Sequence, residues 1–173
     1  MRSTFLFFAA AASLAMLDSN STSLLKVRGA VSVTARGGTE AGPSSTAEEP
    51  FYTITLGGPE GAAAAVFTRA GSAAPTAGVY PVGERELARS GFSGLIITGM
   101  PAHPTGVFRA QSGTLTITAA SPKHLTGRFE LRAVGFLTES PRDEGREVTA
   151  TGGFAARRTG RDSTLTLNRE PGQ

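Results

Sequence analysis

The chain has no cysteine and no tryptophan among its 173 residues. Without cysteine there is no disulfide framework, thiol nucleophile, thiolate metal site or lipid-bearing cysteine. Without tryptophan, a stacking platform for bases or sugars loses its strongest component. Lysine is nearly missing too: Lys26 and Lys123 stand against fifteen arginines. No Gly-Lys-Ser/Thr phosphate loop exists, and no G-x-G-x-x-G joins a strand to a helix. Histidine is limited to His103 and His124, each beside a proline-containing turn. A histidine metal site needs two or three close ligands with carboxylate help, so both read as exposed turn residues. No metal and no cofactor is expected.

Long apolar runs are also scarce. The longest, Phe5 to Leu17, has 13 residues, whereas a membrane-spanning helix needs about 20. Arg2 precedes it, and Asp18, Ser19, Asn20, Ser21 and Thr22 follow. That layout predicts a secretory signal peptide over residues 1–21, cut between 15 and 21. Ser13-Leu14-Ala15 offers a small-x-small cleavage site. Residues 22–173 then form a single β domain, exported to the periplasm or beyond the cell, with no transmembrane segment in the mature chain.

The remaining residues alternate with the period of two that marks half-buried strands. Lys26 to Ala35 alternates as one strand. Gly37 to Pro50 reads as a loop, being rich in glycine, serine, proline and acid. Tyr52, Ile54 and Leu56 point one way, and Thr53 and Thr55 the other. Ala62 to Arg69 reads as a strand despite its four alanines. Gly78 to Val82 is a short extended piece whose Pro81 belongs at an edge or strand end. Glu84 to Arg89 is the one polar helical stretch. Gly94 to Thr98, Thr114 to Thr118, Thr126 to Leu137, Val148 to Arg157 and Thr164 to Leu167 complete the strands. On the longest, Phe129, Leu131 and Ala133 oppose Arg128, Glu130 and Arg132. The fold class is all-β: an antiparallel β-sandwich or barrel of about eight to ten strands. Thr-Gly-x-Phe recurs at Thr105–Phe108, Thr126–Phe129 and Thr151–Phe154. The simplest account has glycine bending the strand and phenylalanine filling the core.

Catalytic patterns fail in turn. Asp143 and Asp162 could complete a Ser-His-Asp set, yet Gly91-Phe92-Ser93-Gly94 is no nucleophile elbow, since the spacing is short and no helix follows. Glycosidases need two carboxylates facing across a cleft. Glu84, Glu86, Glu130, Asp143, Glu144 and Glu147 are the candidates, and Glu130 between two arginines reads as cross-strand charge pairing. The predicted catalytic set is empty.

Ser112–Thr118 (SGTLTIT), Leu125–Ala133 (LTGRFELRA) and Val148–Phe154 (VTATGGF) form one pattern. With Gly78-Val-Tyr-Pro-Val82, it resembles small exported bacterial β-rich proteins of unknown function, some described as lipoproteins. The resemblance spans residues 75–157. It implies the fold and export and no chemistry, and without a lipobox cysteine lipid anchoring does not carry over.

The formal net charge is +3, and the sequence pI is 9.9. Arg157, Arg158 and Arg161 form the one local basic knot, suited to an anionic envelope polymer. Export removes nucleic acid as a partner. Two functional readings lead, ahead of a third in which exposed polar residues form an enzyme site, with His103 or His124 meeting a carboxylate in a cleft. The first is a non-catalytic exported domain acting by binding or assembly, with an envelope protein or anionic polymer as partner. The second is a lipocalin-like carrier of a small apolar ligand, with Phe108, Leu115, Ile117, Phe129, Leu131 and Phe154 lining a cavity. A filled interior would count against the carrier.

Overall fold

A computed structural model of the chain describes residues 21–45, 49–57, 62–84, 90–100, 102–140 and 145–159. The predicted signal peptide, the helix over Glu84–Arg89, Asp143, Glu144, Arg161, Asp162 and the strand Thr164–Leu167 lie wholly or largely outside the described residues.

Ten strands occupy the described residues, with no helix among them. They are β1 (Thr22–Gly29), β2 (Val33–Gly37), β3 (Thr39–Ser45), β4 (Pro50–Leu56), β5 (Ala63–Ala70), β6 (Gly78–Gly83), β7 (Phe92–Met100), β8 (His103–Ala120), β9 (His124–Leu137) and β10 (Arg146–Arg158). All belong to one sheet. Pairing runs β10-β3-β4-β5-β7-β8-β9 and back to β10, a closed ring of seven strands. The sheet is therefore a barrel. Closure leaves few open edges of the kind that invite aggregation; the outer side of β2, which pairs only with β1, is one. The β1–β2 hairpin flanks β10, and β6 lies against β8.

The ladder is antiparallel except at two short contacts, which make the sheet mixed rather than purely antiparallel. One joins β6 to β7 at Val82 and Gly83. The other is the seam, where Arg157 and Arg158 of β10 run parallel to Glu40 and Ala41 of β3. Proline explains why the seam is short. The Thr159 amide donates to the Ala41 carbonyl at 2.9 Å, so Ala41 turns its polar groups toward β10. Residues two apart in a strand turn theirs the same way. Pro43 therefore stands where the next donor is needed and has none to give.

The inward faces fill the barrel. Phe67, Phe92, Phe108, Ile54, Leu56, Ile96 and Leu115 are fully buried, and Phe129 is 4% exposed. Phe67 and Phe129 meet edge to face, ring centroids 5.1 Å apart. The Thr-Gly-x-Phe echo has a reciprocal use here. Gly152 pairs with Phe129, and Gly127 pairs with Phe154. A Cβ on Gly152 would lie 2.6 Å from the Phe129 ring, and one on Gly127 would lie 2.8 Å from the Phe154 ring. Each motif's glycine vacates the space that the other's phenylalanine fills. The β9–β10 ladder runs without a register shift at either glycine. However, β8–β9 shifts register beside Gly127 and β7–β8 beside Gly106, so the expected bulge stands at two of the three motifs and the packing role is added to it.

Four expectations need correction. Lys26 to Ala35 is two strands, since Val27 pairs with Val33 across a tight reversal. Alternation is blind to direction, and Gly29, at φ 124°, marks the break. Gly37 to Pro50 is not simply a loop, because Thr39–Ser45 forms β3. Its turn residues suit the seam: Gly42 passes too close to Thr159 for any Cβ. The Thr105–Phe108 and Thr114–Thr118 pieces are one strand, β8, which at 18 residues exceeds β9 at 14. Register shifts at Ala110/Ser112, and Gln111 is the extra residue. That bulge moves the inward set from Phe108 and Ala110 to Leu115 and Ile117. Finally, charged Arg146 opens β10 rather than belonging to a turn.

Candidate functional site

Strand β10 carries Thr149, Thr151, Gly153, Ala155 and Arg157 on its outer face. Their inward neighbours Val148, Ala150, Phe154 and Ala156 are buried. Four of the five outer residues are small, so the floor above β10 is low. The strands on either side carry long cationic side chains. In one cross-row Arg28 of β1 and Arg132 of β9 flank Thr149. In the next, Lys26 and Glu130 flank Thr151. Beyond it Leu24 and Arg128 flank Gly153, and Thr22 and Thr126 flank Ala155. Arg157 closes the row series beside His124. Arg36 of β2 lies beyond Leu24 in the third row. Neighbouring strands lie about 4.8 Å apart, so the two banks stand about 10 Å apart across β10.

Lys26, Arg28, Arg36, Arg128 and Arg132 are all exposed. Among the described residues, Lys26, Arg28, Arg36 and Arg128 have no acidic partner. Arg132 alone of this set is committed, in a two-pronged pair with Glu147 at 2.5 and 3.3 Å. Its hydrogen bonds to Glu147 first, and that carboxylate's charge second, hold the guanidinium above its usual pKa. Glu130 is exposed and unpaired among the described residues. It borders a shallow depression with Ser112, Thr114, Arg132 and Thr149, beside the Gln111 bulge.

The charge is partitioned around the barrel. Of eleven described cations, ten lie on β1, β2, β8, β9, β10 or the β8–β9 turn, together with three acids, Glu130, Glu139 and Glu147. The remaining arc, β3 to β7 with its flanks, holds Arg69 against Glu40, Glu49 and Glu84. Unpaired like charges on one face attract a polyanion and raise its rate of encounter.

The residues singled out by sequence fall in different places. The basic knot divides. Arg157 faces outward, whereas Arg158 turns to the barrel mouth, donates to the Ser121 carbonyl at 2.6 Å and lies by Tyr52. Tyr52 is 1% exposed, and its hydroxyl sits by the Arg158 guanidinium without a hydrogen bond of good geometry. Burial pushes its pKa up, and the charge and hydrogen-bonding reach of Arg158 oppose that. His103 and His124 are both exposed and begin β8 and β9, with the whole of β8 between them. His103 lines an open cleft with Val31, Val33, Ala62 and Met100. Ser93 lies within β7 and donates to the Thr68 carbonyl at 3.3 Å. Glu130 and Glu147 share the convex outer face and do not oppose each other across a cleft. Lys26, Arg28, Arg36 and Arg128 were invisible as a group, because strand pairing alone brings Arg128 to residues about a hundred positions earlier. No family model, curated protein or solved structure matches the chain.

Proposed function

We propose that the chain is an exported β-barrel domain that acts by binding and not by catalysis. Its ligand is an extended anionic polymer lying along β10. The observation that carries this reading is the pair of cationic banks, Lys26 and Arg28 on one side and Arg128 and Arg132 on the other, largely free of internal acids. Export rests on the layout of residues 1–21 and on the resemblance to exported β-rich proteins. The filled interior favours an outer-surface ligand over the lipocalin-like carrier, since the residues named for the cavity wall are packed on one another.

The test is binding of the mature chain to a labelled soluble polyanion, followed by anisotropy at several salt concentrations. The affinity should fall steeply with salt, each cation contact releasing about 0.7 of a counterion on a flexible strand. The variant with Lys26, Arg28, Arg128 and Arg132 all changed to Gln should lose affinity by at least about tenfold, equivalent to ~1.4 kcal/mol. Lys123→Gln, at the barrel end, should change it little. Equal loss in both variants, or none in the fourfold variant, would refute the site.

A further inference from the structure

We infer that the polymer is an acidic polysaccharide of the uronate type, with carboxylates alternating with hydroxyls, and that Glu130 and its neighbours seat its hydroxyl-bearing face. This inference rests on the binding reading above and names its substrate class. The cationic banks are interrupted at one place. Glu130 stands between Arg128 and Arg132 on β9, exposed and unpaired among the described residues. Lys26 shares its cross-row, with Thr151 between them.

A carboxylate there is unfavourable to a chain that offers negative charge alone, such as polyphosphate. It is favourable to a chain that also offers O–H donors, because an ionised carboxylate only accepts hydrogen bonds. Its surroundings fit that need. The depression beside it is lined by Ser112, Thr114 and Thr149 hydroxyls and the Arg132 guanidinium. These supply donors and acceptors in the mixture that a sugar ring presents. The Gln111 bulge lies next to the depression, one residue before Ser112. Carboxylates of flanking units then meet Arg28 and Lys26 on one bank and Arg128 on the other. The absence of an aromatic platform is consistent with recognition by charge and hydroxyls.

The experiment compares polygalacturonate with polyphosphate of matched charge, using the mature chain at fixed salt. Polygalacturonate should bind more tightly. Glu130→Gln should weaken polygalacturonate by about tenfold, the order expected for hydrogen bonds to a charged group, and should tighten polyphosphate. Thr114→Val should weaken polygalacturonate and leave polyphosphate unchanged. Polyphosphate binding as tightly as polygalacturonate overturns the inference, as does Glu130→Gln tightening both. In either case, sensitivity to the four cations would leave the polyanion reading standing. Binding of neither polymer would overturn both.

Discussion

The two arcs of the barrel are built differently. On one side β8, β9 and β10 are long and extensively paired; β9 and β10 share twelve register positions without a shift, and β8 follows β9 with two bulges. On the other, β3 to β7 are shorter, and β3 meets β10 at two positions. The long arc, together with the β1–β2 hairpin beside it, carries nearly all the described cations, and it places its inward aromatics against opposing glycines. The short arc holds the buried hydroxyls of Thr39, Tyr52 and Thr53, all without hydrogen-bond partners. Regular pairing fixes the outward side chains in rows, which a surface needs in order to bind along its length. The unsatisfied buried hydroxyls collect on the short arc, whereas the register shifts all fall in the pairings of β8.

The contrast can be broken most forcefully from inside. Phe129→Ala should destabilise the fold by about 3–5 kcal/mol, because it empties the centre of the long arc. Urea unfolding measures this, and a change near zero would mean that the ring is not core. Gly152→Ala should destabilise by about 1–3 kcal/mol through overpacking against the Leu24 carbonyl and that ring. If Phe129→Leu fails to relieve part of that loss, the reciprocal packing is wrong.

On the short arc the expected sign reverses. Tyr52→Phe should be neutral or stabilising by up to about 1 kcal/mol, since it removes an unsatisfied buried hydroxyl. A larger loss would show that the hydroxyl has a partner. The raised pKa sharpens the same comparison. The folded state prefers the neutral phenol, so this stability is fully present below the usual tyrosine value of 10.0 and is lost as pH rises beyond it. Alkaline melting curves should show that loss in the native chain and less of it in Tyr52→Phe. The smallest effect belongs to the outer face, where Arg128→Ala should change stability by less than about 0.5 kcal/mol. It should still weaken polyanion binding, separating stability from function at one residue.

Much of this was legible from alternation. The burial of Tyr52, Ile54, Leu56, Phe129, Leu131 and Ala133, and the outward set Arg128, Glu130 and Arg132, follow from a period of two. Alternation says which way a side chain points along one strand, but not which strand lies beside it. Lys26 and Arg132 could each be placed on an outer face, yet their position on opposite banks of β10 depends on pairing across the chain. The β1–β2 reversal escaped because Gly29 and Ala30 make a weak turn signal, and β3 escaped because its seam selects glycine and proline. The Gln111 bulge also left no mark, since each half of β8 alternates cleanly by itself.

The seam has a consequence for the order of folding. Ala41 and Thr159 are 118 residues apart along the chain, so joining β3 to β10 is, with the still longer-range β1–β10 pairing, among the most entropically expensive loop closures of the barrel. The hairpins β8–β9 and β9–β10 need only local contacts and form first. The cylinder is then completed by its weakest joint, one that Pro43 keeps from lengthening. Native-state hydrogen exchange should find the Thr159 amide opening before those of β9, so the barrel unzips where it was last closed.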